Sequence, residues 1–162
     1  MKNIFLLVLF AALVSGLCSC YNNPVTGRRS LNLVSEEEMR TAANTEYAKF
    51  KAQTPPVTSG AQAEMVKRLG SKMSVAVQQY LSSINQASLV SGYQWEFNLF
   101  NINEANAWCM PGGKVAVYSG ILPFTQNEAG LAAVMGHEIA HAVARHANQR
   151  MSQQAAGQTL SQ

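Results

Sequence analysis

The five residues His137-Glu138-Ile139-Ala140-His141 limit the architecture more than any other part of the chain, because their spacing has chemical meaning only on an α-helix. Residues four apart on a helix differ by about 40° around the axis and about 6 Å along it, so both imidazoles can reach one ion. Glu138 is offset from His137 by about 100°, which sets its carboxylate beside that ion and near a bound water, the place of a general base. Zinc suits a pair of imidazoles. It brings the pKa of bound water to about 7 and polarises a carbonyl, while a neighbouring carboxylate takes the proton and passes it to a leaving amine. The motif therefore implies one zinc ion held by His137 and His141, with Glu138 as the catalytic base of peptide hydrolysis without a covalent intermediate.

The flanking residues point to a real helix. Thr125-Gln126-Asn127-Glu128 has a capping-box pattern, and Leu131, Val134, Met135, Ile139 and Val143 recur on one side. The alternative is a pair of surface histidines flanking a glutamate, with no metal. Three His and nine acidic residues are present, all nine of them Glu. By composition alone the motif then arises by chance in roughly 0.3 per cent of such chains, which disfavours that alternative. The apolar stripe predicts a partly buried His pair, which would be hard to satisfy without an ion. His146, nine residues past His137, falls about 180° round a continuous helix. It is expected away from the ion, as a surface histidine or a support behind a ligand.

The start of the chain reads as a leader. Lys2 precedes an apolar run from Ile4 to Val14, too short to span a bilayer comfortably but suited to a signal peptide. The run ends in Leu17-Cys18-Ser19-Cys20, which resembles a bacterial lipobox with Cys20 as the lipidated residue. An ordinary signal peptide that happens to contain two cysteines is the other reading. We expect residues 1–19 to be removed, 20–34 to form an extended segment, and 35–162 to form a single domain. Cys109 is then the only free thiol, better read as a small buried hydrophobe than as a nucleophile. The formal charge of +3 is spread without a basic run, which gives no sign of nucleic-acid binding.

Between leader and motif, Ser35 followed by Glu38 is a capping box opening a helix to about Lys51. A second helix is predicted over 61–84, with Met65, Leu69, Met73, Val77, Tyr80 and Leu81 as its core stripe. Gln94 to Phe100 and Lys114 to Tyr118 read as strands, with Pro111-Gly112-Gly113 as the turn from a loop into the second.

Three blocks together carry a resemblance. They are Asn23-Pro24-Val25-Thr26-Gly27-Arg28, the stretch Asn106 to Gly120, and Leu131 to Gly136 running into the motif. In this order they resemble metallopeptidase family 48, in its periplasmic lipoprotein and Oma-type branch, from about residue 23 onward. The resemblance implies an α+β, gluzincin-like fold of long helices with a small sheet. It also implies that Lys114 to Tyr118 is an edge strand beside the motif helix. Gly112, Gly113, Lys114, Val115, Ala116 and Val117 would then bind an extended peptide through backbone pairing. A buried core strand is the alternative, and the glycines, which let another backbone approach, favour the edge.

The family completes its zinc site with a Glu well after the second His, whereas only 21 residues follow His141 here and none is acidic. Gln153 to Gln162 still reads as helix without a stop signal, so the domain is expected to be incomplete at its C-terminus and the chain as given inactive. Substitution by an upstream carboxylate, with Glu104 and Glu128 as candidates, or a degenerate site are the other readings. The function implied is a zinc endopeptidase of the cell envelope, anchored by lipid and acting on polypeptides in protein quality control. The main rival is a catalytically silent lipoprotein scaffold that binds envelope partners.

Overall fold

The computed structural model describes residues 20–24, 27, 29–31 and 33–159. The expected leader, residues 1–19, lies outside them. A short antiparallel pair comes first: β1 (Cys20–Asn22) and β2 (Arg29–Leu31). The turn between them is held by Gly27 N donating to Asn23 O at 2.7 Å. Helix α1 (Glu36–Gln53) opens with the predicted box: Glu38 N donates to Ser35 Oγ at 3.2 Å, and Ser35 N to the Glu38 carboxylate at 3.0 Å.

Helix α2 (Ala61–Ser83) buries Ala63, Val66, Leu69 and Leu81, while Tyr80 is 58% exposed. The apolar stripe is thus rotated from the predicted one, gaining Val66 and losing Tyr80. At Gly70 the helix lies so close to the sheet that an added Cβ would stand 2.1 Å from Phe97 Cγ.

The sheet has three strands, β3 (Glu96–Phe100), β4 (Ala107–Met110) and β5 (Lys114–Tyr118), in the order β3-β5-β4. β5 runs parallel to β3 and antiparallel to β4, so Val115 stands between Phe97 and Cys109. The expectation that Lys114 to Tyr118 is an edge strand is therefore corrected. Both sides of β5 are paired, and Val115, Ala116 and Val117 are fully buried. The glycines serve the β4–β5 hairpin instead. Gly112 and Gly113 take φ of +88° and +84°, and Gly113 N donates to Met110 O at 3.1 Å. Such left-handed backbone is open to Gly at little steric cost.

Period-two alternation gives the sheet two faces, each covered by helix. Phe97, Leu99, Ala107, Val115 and Val117 meet α2 and the motif helix on one side. Phe100 and Ala116 meet Tyr47 of α1 on the other, with Phe50 and Trp108 packed against them. After a one-turn helix α3 (Leu122–Thr125), the motif helix α4 (Glu128–Val143) begins. Its cap is Asn127, whose Oδ1 accepts from Gly130 N at 3.0 Å, rather than the predicted Thr125, which belongs to α3. Leu131, Met135 and Ile139 are almost wholly buried, and Val143 is close behind. Full burial of such side chains stabilises by about 1.5–3 kcal/mol each, enough to fix the rotation of α4 against the sheet. Helix α5 (His146–Thr159) follows after a break.

No helix among the described residues is long and apolar enough to cross a membrane. Among the described residues the architecture is α+β, as expected, with five α-helices and a small three-stranded sheet.

Candidate metal centre

The buried stripe of α4 turns the opposite side of the helix outward, and that side carries the motif. His137 and His141 are both exposed, which corrects the expectation of partial burial, and Glu138 is half-buried. The one-turn spacing sets the two rings nearly perpendicular, with centroids 4.4 Å apart and Nε2 atoms 2.9 Å apart. Two imidazole nitrogens facing each other this closely either share a proton or turn both lone pairs toward one cation. The donor set thus fits zinc at two positions. Among the described residues no third His, Cys, Asp or Glu joins them. The candidates Glu104 and Glu128 are engaged elsewhere: Glu104 accepts from Asn106 Nδ2 at 3.0 Å, and Glu128 pairs with Arg68.

His146 stands where continuous-helix geometry does not put it. Helix α4 ends at Val143, and Arg145 takes a left-handed φ of +57°. The next helix starts in a new direction, and His146 Nδ1 comes to 2.6 Å from His141 Nδ1. The 180° separation assumed an unbroken helix, and that assumption fails at one residue.

Glu138 and His141 line a cleft of about 610 Å³ between α4, the start of α5 and strand β4. Trp108, Cys109 and Pro111 form the sheet side of this cleft, and Gln149 and Arg150 the α5 side. None of the residues 112 to 117 lines it. The strand beside the motif helix is β4, which among the described residues pairs with a strand only on its β5 side. The sequence pattern predicts a loop here, and the structure forms a strand. Its apolar run ahead of Pro111-Gly112-Gly113 is the signal that could have marked a hairpin.

Cys109 lies partly buried on β4. Burial, helped by the nearby Glu138 carboxylate, pushes its thiol up to about 12. It stays protonated at neutral pH, and its role is packing rather than nucleophilic attack. Burial likewise raises the Tyr93 hydroxyl above its usual range, and that hydroxyl donates to Ala142 O at 3.4 Å near the end of α4.

Comparison with known proteins gives concordant results. The family model described as peptidase family M48 matches residues 71–162. The mitochondrial metalloendopeptidase OMA1 of Schizosaccharomyces pombe is 33% identical over 156 residues, covering 89% of this chain and 42% of that protein. Its Saccharomyces cerevisiae counterpart is 32% identical over 152 residues, with 88% and 44% covered. The beta-barrel assembly-enhancing protease of Escherichia coli is 36% identical over 80 residues, 47% of this chain and 16% of that protein. The chain thus spans less than half the length of these relatives.

Proposed function

The chain belongs to peptidase family M48, and on that footing we propose that it carries the catalytic helix of a zinc-dependent endopeptidase of the cell envelope. The observation that carries the proposal is the facing pair of Nε2 atoms, 2.9 Å apart, with Glu138 on the same helix opening into a cleft beside a strand edge that is unpaired among the described residues. His137 and His141 would hold the ion. Zinc, when bound, supplies the Lewis acidity that polarises a scissile carbonyl. The Glu138 carboxylate takes the proton of the attacking water and delivers it to the nitrogen of the leaving amine.

An extended polypeptide adds to the outer edge of β4, so its backbone is held by hydrogen bonds whatever its side chains. That gives broad sequence tolerance, which suits protein quality control. The name of the Escherichia coli relative, a beta-barrel assembly-enhancing protease, points the same way. The lipobox-like Leu17-Cys18-Ser19-Cys20 supports a lipid anchor at Cys20, facing the periplasm from the outer membrane. A Cys20→Ala variant that stays in the membrane fraction like the wild type would remove that part of the proposal.

The rival reading, a silent scaffold, draws on the lack of a third donor among the described residues. Zinc content and casein hydrolysis by the intact protein separate the two: zinc with hydrolysis supports the peptidase, and neither one, or zinc without turnover, supports the scaffold.

A further inference from the structure

The break between α4 and α5 is held from the far end of the sequence. Asn23, 5% exposed, donates from Nδ2 to Ala144 O at 2.5 Å, across 121 residues. Ala144 is the C-cap of the motif helix, and the next residue is the left-handed Arg145, whose guanidinium pairs with Glu36 at 3.4 Å. In the first turn of α5, the buried Asn148 donates to Val34 O at 2.8 Å and to the Glu36 carboxylate at 2.9 Å. Ser152, fully buried, accepts from Leu33 N at 3.0 Å. The N-terminal segment is therefore stitched along the elbow by buried and part-buried polar contacts, which are costly to leave unmade.

The elbow delivers one side chain to the metal centre, His146, with its Nδ1 at 2.6 Å from Nδ1 of His141. We propose that this elbow is a positioning device: His146 orients the ring of His141 through Nδ1, and Asn23 locks the elbow that holds His146 in place. The inference rests on the reading of His141 as a metal ligand. When Nε2 of an imidazole binds a metal, the remaining proton sits on Nδ1 and needs an acceptor. That acceptor fixes both tautomer and ring orientation. His141 Nδ1–H then donates to His146 Nδ1, and His146 carries its own proton on Nε2. His146 is no ligand in this arrangement, because it contacts the nitrogen of His141 that does not face His137.

The test compares His146→Asn with His146→Leu in the intact protein. The two replacements have similar bulk, but only Asn offers an oxygen acceptor near the position of Nδ1. Zinc affinity is read by competition with a chromogenic chelator, and the visible spectrum of the Co²⁺ form reports ligand geometry. We expect His146→Leu to weaken zinc binding about 10–100-fold and to alter the Co²⁺ spectrum, with His146→Asn recovering most of both. Asn23→Asp, which keeps the shape but removes the donor, should weaken zinc binding about threefold or more.

Equal affinities and spectra for the Leu and Asn variants would overturn the role of His146. Wild-type affinity in Asn23→Asp would overturn the role of Asn23. A wild-type protein that retains no zinc would fail the metallopeptidase reading itself and take this inference with it. Zinc bound normally by wild type and His146→Leu alike would fail this inference alone.

Discussion

His137 Nε2 stands 2.9 Å from His141 Nε2, while Nδ1 of the same His141 is taken by His146 at 2.6 Å. Both nitrogens of one ring thus have a close neighbour, and in the proposed site one faces the ion and the other its support. This arrangement predicts that His137→Ala and His141→Ala each abolish stoichiometric zinc after dialysis against a mild chelator. Glu104→Gln and Glu128→Gln should leave zinc unchanged, because those carboxylates are committed to Asn106 and Arg68. Metal analysis by atomic emission checks all four. Zinc loss in either Gln variant would mean that the carboxylate rearranges to join the histidines.

What the sequence discloses and what it hides divide along physical lines. The capping box at Ser35 and the strand from Lys114 to Tyr118 are legible because they rest on local patterns, a reciprocal pair of polar side chains and an apolar run bounded by a glycine turn. Strand β4 is not, because Trp108 and Met110 face the α1 side while Ala107 and Cys109 face α4. With both faces covered, no polar residue alternates and the segment does not look like a strand. The edge expectation for β5 rests on the resemblance and on the glycines at 112 and 113, and the pairing of β4 along β5 overturns it. The break at Arg145 is hidden for another reason: no Gly or Pro marks it, and the group that caps Ala144 lies at Asn23. A contact across 121 residues leaves no local trace.

The polar cluster on the α1 face of the sheet should make stability depend on acid pH. Partial burial works against the Glu96 carboxylate. Hydrogen bonds from Lys51 and Asn98, with the charges of Lys51 and Lys114, outweigh it and hold Glu96 below its ordinary 4.5. A carboxyl lowered in the folded state adds stability that is complete above its unfolded value and fades as pH falls through the folded one. Glu96→Gln should therefore cost stability at about pH 7 and much less at about pH 3. Urea unfolding at the two pH values reads the difference, and an equal cost at both would refute the assignment.

The close approach of α2 to the sheet sets two effects against each other. Gly70→Ala would favour the helix by about 1 kcal/mol in the absence of neighbours. The new Cβ would meet Phe97 Cγ at 2.1 Å. Phe97 has little room to retreat, being 8% exposed and stacked on Trp95 at 5.8 Å. Overpacking of this kind costs about 1–3 kcal/mol, so the variant should be less stable on balance, with a melting midpoint lower by a few degrees. A raised midpoint would show that α2 can shift away from the sheet freely.

The claim on which the rest depends is that Glu138 moves protons while the two histidines hold the ion. Glu138→Gln removes the base and keeps the side-chain shape, and it leaves both ligands in place. The decisive measurement is zinc content and peptide hydrolysis on the same preparation of intact Glu138→Gln protein, beside the wild type. The account predicts wild-type zinc with turnover reduced about 10²–10⁴-fold. Wild-type turnover in that variant would contradict it.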